Sequence, residues 1–227
     1  VIYGDDRRAI TAMHTKTLAA LIATAALALG ATACGGSDES DTARPAATPV
    51  ADIASLSGQN TAVALDAGFV EALGALKLTP APLGQAEISD AGVASFPITG
   101  GNVKYFTPGT VSPYVQGMIA HDGSGLSLTG GGKIVELTDF AVDPGKSLLT
   151  GKVTVDGEVA AESAPLFFLD GRTLKPLQAN DDGTAVLEGT TVKLKAEAAE
   201  LLNQTFAVDA LTEGLVIGVA KITVNTA

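Results

Sequence analysis

The amino-acid sequence predicts a mainly β fold, an antiparallel β-sandwich or partly closed barrel carrying two short helices. Three observations carry that expectation. Twenty-six Gly and ten Pro among 227 residues supply punctuation for many tight turns. Between those marks lie short runs of Val, Ile, Leu and Thr, several of which alternate apolar with polar. With no Trp and 4% aromatic residues, the core has to be built from branched and small aliphatic side chains, which suits sheets better than a helical bundle. A composition of 46% hydrophobic and 17% charged residues is globular, and the length suits one sizeable domain. A formal charge of −11 argues against nucleic-acid binding, because affinity for phosphate backbones comes mainly from Lys and Arg. One Cys and two His leave too few ligands for zinc fingers, paired-cysteine redox sites, disulfide scaffolds or multi-His metal sites.

Residues 1–12 fit no export signal and read as a mis-called upstream extension. Starting at Met13, the chain presents His14 and Lys16, then an unbroken apolar stretch over 17–33, then Ala31-Thr32-Ala33-Cys34. A basic start, a short apolar helix former and small residues before the cut define a signal peptide over 13–33. The only cysteine stands at the cleavage point, and the segment resembles the lipobox of bacterial lipoproteins, with Ala31 where that family prefers Leu. The resemblance implies that Cys34 is the lipidation site, receiving a diacylglycerol and becoming the new amino terminus. It also implies export to the extracytoplasmic face, with the lipid anchor in the cell membrane. A plain secretory signal and a single membrane anchor are the alternatives, since the apolar run approaches the roughly 20 residues that span a bilayer. Loss of residues 1–33 removes two acidic and three basic side chains, leaving 23 acidic and 11 basic and a charge of −12. Acyl chains rather than charge would then have to hold the protein at an anionic surface. Residues 34–60, rich in Ser, Asp, Thr, Ala and Pro, read as a lipid-anchored flexible linker.

A single β-rich domain is expected over 61–227. Residues 61–65 alternate as a strand, and 67–76 place Phe69, Val70, Leu73 and Leu76 at helical spacing until Thr79-Pro80-Ala81-Pro82 ends the helix. Residues 93–155 fit about six strands. In 149–155, Leu149, Gly151, Val153 and Val155 share one face while Thr150, Lys152 and Thr154 take the other. Asp156-Gly157 then suits a tight hairpin turn. In 134–142, Val135 and Leu137 share one parity and Phe140 and Val142 the other, so a bulge is expected near Asp139. The triple Leu166-Phe167-Phe168 reads as a buried strand. Residues 61–74 and 190–203 align as two copies of a strand followed by a helix, sharing six residues. The most apolar run, 215–224, is expected to be central or to close the sheet against the first strand.

His121 is the only histidine beyond the signal. A hydrolase would need it as base beside Ser124, yet there is no GxSxG elbow. Ile119 to Leu126 reads more simply as a polar turn between a strand ending at Ala120 and one starting at Leu126. Asp139, Asp143, Asp181 and Asp182 lie at Gly- or Pro-marked turns, where Asp caps its own backbone. No catalytic residue and no metal ligand is assigned.

Residues 96–101 (FPITGG) and 117–128 (GMIAHDGSGLSL) resemble part of the HtaA family, exported haem-binding domains of actinobacteria. The resemblance covers about a seventh of the chain. It implies haem as a cofactor, held in that family by an iron-ligating tyrosine that a histidine supports. By position only His121 carries over, because the region matching the family's tyrosine, 64–76, contains none. Tyr105 and Tyr114 are the sole tyrosines beyond the signal. His121, Tyr105 and Tyr114 are therefore the candidate ligand-binding residues, although in one regular strand Tyr114 and His121 would face opposite ways unless a bulge at Gly117 intervened. Three readings stay open: a non-catalytic domain binding a small ligand or envelope protein, an HtaA-like haem receptor, and a hydrolase using His121.

Overall fold

The computed structural model describes residues 46–226. The expected extension, the signal peptide and Cys34 lie outside the described residues. The chain runs β1 (Ala51–Ile53), β2 (Gln59–Leu65), α1 (Ala67–Ala75), β3 (Thr79–Gly84), β4 (Glu87–Ile88), β5 (Val93–Pro97), β6 (Gly100–Tyr105), β7 (Val115–Gly130) and β8 (Lys133–Asp143). It continues through β9 (Leu148–Val155), β10 (Glu158–Asp170), β11 (Gln178–Ala179), β12 (Thr184–Leu194), α2 (Ala196–Phe206) and β13 (Val216–Asn225). The strands form one antiparallel sheet in the order β1-β6-β7-β8-β9-β10-β12-β13-β2-β5-β4, with β3 on β7 and β11 on β12.

That sheet curls until β5, near one end of the strand order, comes against β7, near the other, giving a partly closed barrel rather than two facing sheets. The seam lies between β5 and β7, where His121 Nδ1 is 2.9 Å from the Pro97 carbonyl oxygen; just past β5, Thr99 N–H donates to the Ala120 carbonyl at 2.9 Å and Asp122 N–H to Thr99 Oγ1 at 2.9 Å. Both helices follow strands that finish at the same end, α1 after β2 and α2 after β12. They cover that end with Leu73, Ala198, Ala199 and Leu202, all buried in the core. Asp66 starts α1 by accepting the N–H groups of Gly68 and Phe69, which satisfies donors that have no partner within the helix. At the opposite end the strands are joined by the segments 106–114, 144–147 and 171–183.

The two expected strand-helix units, β2-α1 and β12-α2, flank β13, which pairs with β12 on one side and β2 on the other. Asp156 (φ 51°) and Gly157 (φ 86°) turn the β9-β10 hairpin with the left-handed backbone that a two-residue connection needs. Asp139 (φ 53°) marks the bulge in β8, where the register with β9 shifts between Thr138 and Ala141.

Three expectations are corrected. The folded unit begins about ten residues before Thr61, since Ala51–Ile53 pair with β6 and Leu56 is buried, so the linker's last part belongs to the sheet. Residues 93–155 hold five strands rather than six, because β7 is one strand of 16 residues. The segment from His121 to Gly125 is not a turn between strands but a bulge within β7: Asp122, Gly123 and Ser124 face Asp139 alone on β8. Gly125 is required there by contact rather than by a turn, because a Cβ at this position would lie 2.1 Å from the Leu137 carbonyl oxygen.

Candidate functional site: an apolar cavity inside the curled sheet

The side chains that each strand presents inward do not meet across the barrel. They enclose a cavity of about 720 Å³. Ile119, Phe140, Val142, Ala94, Val63, Val192, Ile217 and Ala220 are wall residues that are themselves buried. Residues on the other face of the sheet, such as Val219 and Val159, stand exposed. Small side chains at Ala94 and Ala220 leave the space that larger ones would fill. The segments at the end opposite the helices contribute Ser112, Pro113, Tyr114, Pro144, Ser147, Leu174 and Leu177 to the lining, which makes that end the mouth.

All three candidate residues line this cavity. His121 is 1% exposed and sits at the seam, where it reaches two other strands. Its Nδ1 lies 2.9 Å from the Pro97 carbonyl oxygen, and its Nε2 lies 3.3 Å from Thr61 Oγ1. A carbonyl only accepts, so Nδ1 carries the proton and donates. Nε2 is then the acceptor, and the Thr61 hydroxyl donates to it. Burial pulls the imidazole pKa below its usual 6.5, outweighing its backbone hydrogen bonds and nearby Asp122, which act the other way. The ring is thus neutral, and it ties β7 to β5 and β2 across the seam. Phe96 stands edge-on to it at 6.4 Å and to Phe140 at 5.3 Å.

A polar turn between strands would leave His121 in water, whereas the ring is buried within one strand. A Ser-His pair is not formed: Ser124 Oγ donates to the backbone carbonyl of His121 at 3.1 Å, while the imidazole is engaged elsewhere. Asp143 and Asp182 behave as turn residues, accepting the N–H groups of Lys146 and Thr184.

Tyr105 and Tyr114 pack edge to face at 5.9 Å near the mouth. Burial, and then the neighbouring Tyr105, raise the pKa of the Tyr114 phenol. Tyr105 pairs with Val115, six residues before His121 on β7, which is about 20 Å along the strand. The tyrosines and His121 thus sit at different depths of one cavity. A tyrosine supported by a histidine, as the HtaA resemblance implies, is not assembled here, and the residue that meets His121 Nε2 is Thr61. Thr61 and Phe96 are cross-strand partners on β2 and β5, as His121 and Phe140 are on β7 and β8, and sequence reasoning misses Thr61, Phe96 and Phe140 because the two pairs meet only across the seam.

No protein-family model and no curated protein sequence matches the chain. The chain is similar to the C-terminal domain of HtaA from Corynebacterium glutamicum, with a TM-score of 0.52 and 14% identity, over 75% of this chain and 98% of that one. A domain-swapped dimeric variant of the same domain gives 0.44 at 14% identity, over 71% of this chain and 92% of the other.

Proposed function

We propose that the protein is an exported, lipid-anchored surface protein whose domain binds an apolar small molecule without catalysis. The observation that supports the binding role is the cavity, while export and anchoring rest on the segment ending at Cys34. The cavity's volume falls within the range typical of ligand sites, roughly 300–1,000 Å³, and its walls are aliphatic and aromatic with few polar groups. A neutral fluorescent probe, N-phenyl-1-naphthylamine, should brighten saturably with one site per domain. Filling the cavity by Ala220→Phe should weaken that binding about tenfold or more, equivalent to ~1.4 kcal/mol for each factor of ten. Non-saturable brightening, or the same affinity in Ala220→Phe, would count against it.

Anchoring is tested separately. In a bacterial host the chain should incorporate palmitate and stay with membranes, whereas Cys34→Ser should do neither. Equal labelling of the two would rule the anchor out.

Haem binding is the second reading, favoured by the HtaA-like fold and by two phenols lining the mouth. The paired tyrosine and histidine are not in place, and burial raises the Tyr114 pKa, which opposes tyrosinate. Haemin should therefore give either no specific spectrum or a high-spin ferric tyrosinate band that Tyr105→Phe or Tyr114→Phe removes. A tight low-spin spectrum lost only in His121→Ala would contradict the tyrosine assignment.

A further inference from the structure

A second cavity of about 170 Å³ lies at the helix-covered end. It is lined by Phe69 and Leu73 of α1, by Ala198 and Leu202 of α2 and by strand residues, and its walls are almost wholly apolar. Leu65, Leu126, Phe167 and Ile217 line both this space and the large cavity, so one layer of side chains separates the two. Leu65 and Leu126 are only partly buried although they point into the barrel, because each has open space beside it. Aliphatic side chains of this kind change rotamer without breaking a hydrogen bond.

We infer that the ligand is a long, flexible hydrocarbon chain with one polar end, of the fatty-acyl kind, whose terminal methylenes pass between Leu65, Leu126, Phe167 and Ile217 into the second cavity. This rests on the proposed role of the large cavity and names the class of molecule it takes. A rigid disc would be confined to the large cavity and would leave the space beneath the helices unused. A thin chain uses both. Its polar end remains at the mouth, where Ser112, Tyr114, Ser147 and Arg172, the last paired with Asp170, line the opening. The charged residues lining the large cavity, Asp170 and Arg172, are paired with each other beside the 171–183 segment at the mouth, and an ionised head carried further in would lose its solvation.

Chain length is the readout. Against saturated fatty acids from eight to eighteen carbons, displacement of N-phenyl-1-naphthylamine should show affinity rising about fourfold per added methylene while the chain still finds apolar space, from ~0.8 kcal/mol per buried methylene. Ala198→Leu places a larger side chain in the second cavity. It should bind the eight- and ten-carbon acids as the wild type does and stop gaining affinity several carbons earlier. Ala164→Leu, filling the same space from β10, should do likewise, which guards against a folding defect peculiar to one variant. Identical plateaus in wild type and variants would overturn the inference while leaving the large cavity as a binding site. A variant that weakens short and long acids equally would overturn it too. Binding of the probe without displacement by any acid would exclude the acyl class, and failure of probe and acids alike would bring down the cavity reading with it.

Discussion

A chain ending at Glu213 should be insoluble or unfolded. The segment lost is β13, which bonds to β12 along one edge and to β2 along the other, so its removal opens the sheet in the middle of its strand order. It also removes the inward-facing Ile217, Ala220 and Val224, all of them buried. Burial of a Val or Ile is worth roughly 1.5 to 3 kcal/mol, and two ladders of backbone groups would be left without partners. The loss approaches the whole stability of a typical domain, about 5 to 15 kcal/mol. A soluble truncation that melts cooperatively would show that β13 is dispensable.

His121→Ala should cost about 3 to 5 kcal/mol of stability, the range for deleting a buried ring and stranding its hydrogen-bond partner. The ring packs against Phe96, and its loss leaves the Pro97 carbonyl without a donor at the seam. The same residue sets a pH dependence. Because burial lowers its pKa below 6.5, the folded chain holds fewer protons on this ring than the unfolded chain does once the pH drops below that value. Its contribution is therefore complete above about pH 6.5 and is lost as the pH falls from there toward the folded-state pKa, at up to ~1.4 kcal/mol per pH unit. Urea denaturation at pH 7.5 and 5.5 should show the wild type losing stability on acidification. His121→Gln should lose less over the same interval, since no imidazole remains to be charged. Equal pH dependence in the two proteins would mean that His121 is not buried as a neutral ring.

What could be read from the sequence was whatever depends on neighbours along the chain. Alternation in β9, the Asp156-Gly157 turn and the parity change at Asp139 each reside within a few residues, and each is found where expected. The repeated strand-helix pattern pointed to the two strands that flank β13. Local chemistry misled at His121-Asp122-Gly123-Ser124-Gly125, because Gly and polar residues suit a turn and a bulge equally well. Only the long β8 partner shows that the strand continues. β1 was hidden for a different reason: Ala51–Ile53 is too short to show a period, and it is held by β6 rather than by its own propensity. The cavity was invisible because its walls come from strands far apart in the chain, and empty space has no sequence signature. His121 was identified as a candidate, but its contact with Thr61 exists only once β7 has come round to β5 and β2.

If ligand enters the concave interior, the methyl groups of the inner wall must sense it and those of the outer face must not. Methyl-labelled protein titrated with N-phenyl-1-naphthylamine and followed by nuclear magnetic resonance separates the two. Saturable shifts are expected at Ile119, Val142, Leu149 and Ile222, which line the cavity, with Val159 and Val219 on the outer face unmoved. Shifts confined to the outer valines, or a titration that leaves the four inner residues unchanged, would contradict entry into the barrel.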